Sequence, residues 1–162
     1  MILIKRYGFP LLLSLALYTA VYFLFGNGSP YLGIALALSV ILSYVIRICD
    51  DIGDYEKDRA RGQAPIRKSI LFVMMVAALA VFGILTLVAK AYIMLISPTV
   101  ILLQLLIKDK YRDIIKPLFL PAIVVALVLS FFTPNFWLFV TVPILIISDV
   151  ILIVFKRRRR DL

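Results

Sequence analysis

Six apolar runs divide this chain, and they constrain its fold more than any other feature. They are Phe9–Phe25, Tyr31–Cys49, Ile70–Ala89, Tyr92–Ile107, Leu118–Phe132 and Phe136–Phe155. A helix needs about 20 such residues to cross the hydrocarbon of a bilayer, and there every backbone polar group must be satisfied within the protein. The breaks are Gly26-Asn27-Gly28-Ser29-Pro30, the polar stretch from Asp50 to Ser69, Lys90, the segment Lys108–Pro117, and Thr133-Pro134-Asn135. One helix from Ile70 to Ile107 would be far too long for a normal bilayer at about 1.5 Å per residue, so a hairpin turn is expected near Lys90. The expectation is an all-α integral membrane helical bundle of about six transmembrane helices. It forms one domain over residues 1–162, with a basic tail at 156–162. The chain is 64% hydrophobic, against roughly 45–50% for soluble domains, and an extended soluble domain is excluded. The first run follows Lys5 and Arg6. It is long for a signal peptide and no small-x-small site follows it, so it reads as a retained helix.

Six spans send alternate loops to opposite faces. One face receives Lys5, Arg6, Arg47, Lys57, Arg59, Arg61, Arg67, Lys68, Lys108, Lys110, Arg112, Lys116 and the tail from Lys156 to Arg160, leaving only Lys90 of the 18 basic residues on the other. The positive-inside rule puts the rich face and both termini in the cytoplasm. That means the plasma membrane if the source is a prokaryote. The net charge of +9 thereby reads as topology and contact with membrane lipid headgroups, and no nucleic-acid partner is expected. The opposite face is bordered by Phe23, Phe25, Tyr31, Phe131, Phe132, Phe136 and Trp137, an interfacial aromatic belt.

Histidine is absent and Cys49 is the sole cysteine. This excludes His-based acid–base and nucleophile schemes, most zinc sites and any intrachain disulfide. The first five spans carry no polar residue that reads as lining a transport path.

Five of the nine acidic residues lie together: Asp50, Asp51, Asp54, Glu56 and Asp58. If the second span continues as a helix, each residue turns by about 100°. Asp50, Asp51, Asp54 and Asp58 then fall on one stripe with Arg47 and Arg61, while Glu56 and Arg59 point elsewhere. Four carboxylates so close repel one another unless a cation sits among them. Mg²⁺ suits oxygen ligands and bridges carboxylates to substrate phosphates, and Arg47 and Arg61 suit phosphate oxygens. The plainer reading is a solvated loop of mixed charges forming local ion pairs.

A second polar segment holds Asp109 and Asp113 at a spacing that shares a helix face, with Lys110, Arg112 and Lys116 as candidate anion contacts. Its plainer reading is an anchor loop. Asp149 stands inside the last span, where a carboxylate is costly and usually faces the bundle interior.

The run Arg47-Ile48-Cys49-Asp50-Asp51-Ile52-Gly53-Asp54-Tyr55-Glu56-Lys57-Asp58 resembles the first aspartate-rich motif of the UbiA-type prenyltransferase superfamily. Its position at the cytoplasmic end of the second span matches too. The resemblance implies that Asp50, Asp51, Asp54 and Asp58 are the catalytic aspartates, holding Mg²⁺ and through it an isoprenoid diphosphate. Ionisation would then release an allylic carbocation to an aromatic or other lipophilic acceptor. Downstream, Ala64-Pro65 and Ser69 stand where the family often has Arg-Pro and Gly. By span count, Lys108–Pro117 resembles the family's basic loop before the fifth span, and a second motif would begin near Asp149. Family members have about nine helices, so the resemblance covers their first two-thirds, and self-association into a homo-oligomer is expected to complete the bundle. Two alternatives stand beside this reading: a non-catalytic truncated relative that binds lipid or serves as a subunit, and an enzyme like the CDP-alcohol phosphotransferases.

Overall fold

A computed structural model describes residues 2–62, 66–107, 111 and 115–158. The described residues are helical, with no strand among them. Seven α-helices follow in order: α1 (Ile2–Phe25), α2 (Leu32–Gly53), α3 (Tyr55–Ala60), α4 (Lys68–Val88), α5 (Ile96–Leu106), α6 (Phe119–Phe131) and α7 (Phe136–Arg158). Short 3₁₀ turns, Tyr92–Leu95 and Lys116–Leu118, lead into α5 and α6.

Each expected break has a local cause. After α1 the chain turns through Asn27 and Gly28, both at positive φ (42° and 78°), the left-handed region that glycine enters without cost. The turn at Lys90 is a Schellman motif. The Ala91 N–H donates to the Thr86 carbonyl at 3.0 Å and the Lys90 N–H to the Leu87 carbonyl at 3.1 Å. Lys90 itself sits at φ 55°, where glycine is usual. Pro98 and Pro121 lie in the first turns of α5 and α6, where no intrahelical donor is lost.

α2 is the hub. It packs against α1, α4, α5 and α6. Its buried residues, Ala35, Leu38, Ser39, Leu42, Val45, Ile48, Cys49 and Ile52, recur every three or four positions. That stripe on a 3.6-residue period is what one helix presents to several neighbours. Tyr18, Val21 and Phe25 of α1, Leu71 and Phe82 of α4, Ile101 of α5, and Ile123 and Leu127 of α6 complete the core.

The outside is apolar as well. On α4, Val73, Val76, Ile84, Leu87 and Val88 are exposed, and on α7 Phe136, Trp137, Phe139, Ile144 and Ile147 are. α2 and α4 are long and apolar enough to cross a membrane. The other apolar stretches, Leu11–Phe25, Tyr92–Leu106, Lys116–Phe131 and Phe136–Ile151, are shorter, at 10–17 residues. Six helical runs are therefore present among the described residues, and α2 and α4 among them are both long and apolar enough to cross a membrane. The runs 92–107 and 118–132 begin in or after 3₁₀ turns.

Candidate functional site

Among the described residues an open pocket lies at the charged end of the bundle. It has a volume of about 370 Å³, within the ordinary range for small-ligand sites. Leu13 and Ser14 of α1 line one wall, and Ser43, Ile46, Arg47 and Asp50 of α2 another. Lys116, Phe119 and Leu120, at the entry to α6, close a third side, and Asp149 and Ile153 of α7 a fourth. Along α2 the cavity extends from Ser43 to Asp50, about 10 Å at the helical rise. One end is charged and the rest is walled by aliphatic and aromatic side chains.

α2 sets the positions of Arg47 and Asp50. They stand three residues apart and so share a helix face. Lys116 comes from a different element, and its Nζ lies 2.9 Å from Asp50 Oδ1, each side chain being 24% exposed. Arg47 Nη2 reaches Asp51 Oδ1 at 3.2 Å, one helical turn on. Asp51 is buried, at 4% exposure, so this ion pair compensates a carboxylate that water barely reaches. Asp149 lines the cavity from α7.

The aspartate stripe drawn from the sequence is thereby divided. Hydrogen bonds from the Asp54 N–H to the Asp50 carbonyl and from the Asp58 N–H to the Asp54 carbonyl, both 2.9 Å, carry the helical path past Gly53. Yet Asp54 is the cap between α2 and α3, and the four side chains take different surroundings. Asp50 enters the cavity and Asp51 is buried against Arg47. Asp54 Oδ1 lies 3.8 Å from Lys57 Nζ, and Asp58 is half-buried on α3. Glu56 pairs with Lys68 at 3.8 Å, and the Lys68 ammonium stands 5.8 Å over the Tyr55 ring. The local ion pairs of the plainer reading are thus present. No group of three acidic or cysteine side chains gathers for a metal among the described residues. Arg61 caps the end of α3, exposed and away from the cavity lining.

Asp109, Lys110, Arg112 and Asp113 lie outside the described residues. Lys116 and Asp149, singled out on weaker grounds than the motif, both line the cavity. Ser14 and Ser43 were missed. They are polar residues in apolar runs, and that alone was a signal. Ser43 donates to the Ser39 carbonyl at 3.0 Å and lies 3.4 Å from the Tyr18 hydroxyl, so its polarity is absorbed within the bundle. Gln104, fully buried on α5, is another polar side chain inside the expected spans, as are Ser39, Thr86 and Ser97.

No family model, no curated protein and no solved structure matches the chain.

Proposed function

We propose that this protein is an integral membrane helical bundle that binds a phosphorylated isoprenoid lipid and transfers its prenyl group to a lipophilic acceptor. The observation that carries the reading is the cavity, with Arg47, Asp50, Lys116 and Asp149 at its charged end and Leu13, Ile46, Phe119, Leu120 and Ile153 around it. An apolar pocket with a few convergent polar groups is the usual form of a ligand site, and this one has the polarity of a diphosphate joined to a hydrocarbon chain. The apolar exterior and the basic loops favour a bundle embedded with its charged end on the cytoplasmic face.

Arg47 and Lys116 are the cations that would meet diphosphate oxygens, since charge-assisted hydrogen bonds to phosphate are strong. Mg²⁺ commonly binds through one or two carboxylates plus substrate phosphates. Asp50 and Asp149 line one cavity from two helices and are the carboxylates that would meet a metal there, beside the motif's Asp51, Asp54 and Asp58. The metal when bound would offset charge on the leaving diphosphate. The walls would do the rest. Ile46, Leu120 and Ile153 give the pocket apolar walls that, within a bilayer, would limit the access of water to an allylic cation, and Phe119 lies beside them. In the transfer the carbon–oxygen bond breaks with its electron pair leaving on the diphosphate. The freed carbon bonds to the acceptor, which gives up a proton.

The test is binding and turnover of labelled prenyl diphosphates by the purified protein with and without Mg²⁺, beside Asp50→Asn. Mg²⁺-dependent turnover that the substitution abolishes supports the reading, and no binding by the folded protein overturns it. One observation favours a second reading, a lipid-binding protein without catalysis: Asp50, Asp51 and Asp54 are each already near a cation of the chain. Binding without turnover would select it.

A further inference from the structure

Ser39, Ser43, Arg47 and Asp50 recur at intervals of three or four residues and so share one face of α2. Arg47 and Asp50 belong to the charged end of the cavity, and Ser43 lines it one turn farther in. There α2 meets α1. Ser43 Oγ donates to the Ser39 carbonyl at 3.0 Å and stands 3.4 Å from the Tyr18 hydroxyl. A hydroxyl has one hydrogen to give and two lone pairs that accept. Ser43 spends its hydrogen on the Ser39 carbonyl, so the hydrogen between the two hydroxyls belongs to Tyr18. Tyr18 therefore donates to Ser43, and the Ser43 oxygen keeps one accepting lone pair beside the cavity. Ser14, four residues before Tyr18 on α1, lines the cavity as well. The α1–α2 side of the cavity thus bears hydroxyls, whereas Phe119, Leu120 and Ile153 offer only hydrocarbon.

Neither half of a prenyl diphosphate uses that lone pair. Phosphate oxygens are acceptors themselves. A hydrocarbon chain laid over Ser43 displaces water and returns no hydrogen bond, and a buried acceptor left unmade costs more than a made bond gains. A site built to hydrogen-bond a hydroxyl rejects an analogue that lacks it, because its own polar group is then left unpaired. We infer that Ser43 is a specificity-determining residue that accepts a hydrogen bond from a hydroxyl group on the lipophilic acceptor. The inference rests on the proposed transfer reading of this cavity and adds the chemical class of the acceptor. That class is a lipid alcohol or phenol, and ethers, ketones and plain hydrocarbons fall outside it.

The experiment uses the full chain purified in detergent and two labelled probes, 4-nonylphenol and 4-nonylanisole. They share one alkylphenyl body, and a methyl group caps the donor of the second. Equilibrium dialysis gives the affinity of each, referred to protein-free micelles. Wild type is expected to bind the phenol at least about tenfold tighter than the anisole. Ser43→Ala is expected to weaken phenol binding and leave anisole binding unchanged, so that the preference falls below about twofold. Should the alanine variant fold poorly, Ser43→Thr and Ser43→Val, alike in shape, repeat the comparison, and the threonine variant alone should keep the preference. A farnesyl bisphosphonate, a diphosphate mimic that does not ionise, tests the cavity reading separately and should bind wild type and Ser43→Ala alike. Bisphosphonate binding to wild type with equal affinity for phenol and anisole overturns the inference and leaves the lipid-diphosphate reading intact. A phenol preference that survives in folded Ser43→Ala, or is the same in the threonine and valine variants, does so too. No bisphosphonate binding to wild type overturns the lipid-diphosphate reading itself.

Discussion

Arg47 and Asp51 stand one helical turn apart on α2, with Nη2 3.2 Å from Oδ1, and the carboxylate is the more deeply buried of the two. The pair lies where the hub helix leaves the core for the charged end, with Ile48 and Ile52, both buried, beside it. Losing Arg47 would leave the buried Asp51 carboxylate without that cation, whereas losing Asp51 would leave an arginine that is 32% exposed and reached by water. Arg47→Met should therefore destabilise the fold by about 3 kcal/mol. Asp54→Ala, whose side chain is 37% exposed and 3.8 Å from its lysine, should change stability by less than about 1 kcal/mol. Chemical unfolding in detergent, followed by helical circular dichroism, measures both.

The Lys116–Asp50 pair joins two elements far apart in sequence and is only partly screened. A double-mutant cycle with Lys116→Met and Asp50→Asn should give a coupling energy of about 1–2 kcal/mol, between exposed and buried pairs. A coupling near zero would show that the two side chains do not hold the cavity mouth together.

Lys90 occupies a left-handed position that carries a steric penalty for any residue with a Cβ. Lys90→Gly should stabilise the protein by about 0.5–1 kcal/mol, the relief of that penalty less the added freedom of the unfolded chain. The measurement is the unfolding midpoint at unchanged slope.

Filling the cavity should separate binding from folding. Ser14, at 9% exposure, points into it. Ser14→Phe should weaken binding of the farnesyl bisphosphonate at least about tenfold by occupying the apolar end, with a stability change inside the usual range for one substitution, about 0.5–3 kcal/mol. Equilibrium binding of labelled probe, beside the unfolding curve, reports both quantities.

Trp137 is the only tryptophan and is 54% exposed, at the start of α7 and about 18 Å by helical rise from Asp149. Reconstituted in vesicles, its fluorescence should be quenched more by lipids brominated near the headgroup than by lipids brominated near the chain terminus, as an interfacial tryptophan requires. Equal quenching at all depths would remove it from the interface.

The helices were legible in the sequence because each apolar run ends at residues with a local reason to stop, such as the left-handed pair Asn27 and Gly28. Lys90 was the hardest break to read. Its Schellman motif uses a lysine where glycine is expected, so composition did not announce it. Asp50 was legible as a candidate because a carboxylate at the end of an apolar helix is conspicuous. Its partner was not, since Lys116 reaches it through the packing of the 116–118 turn against α5, α6 and α7, and no one-dimensional pattern encodes that. The stripe of four aspartates went the other way. Helical spacing aligned the backbones, and the capping position at Asp54 and the separate cations of Asp50, Asp51 and Asp54 parted the side chains.

The walls of the cavity come from both extremes of the chain: Leu13, Ser14 and the Ser43–Asp50 turns of α2 on one side, Lys116, Phe119, Leu120, Asp149 and Ile153 on the other. During synthesis the first half is made long before the second. Until the 116–118 turn and α6 form, Asp50 lacks its lysine and α2 has only α1, α4 and α5 to pack against, and until α7 docks the wall of Asp149 and Ile153 is missing. The site is thus the last part of the molecule to come into existence. A ribosome stalled before α7 would carry a helical core whose pocket lacks one wall, so ligand binding reports the arrival of α7 rather than the onset of folding.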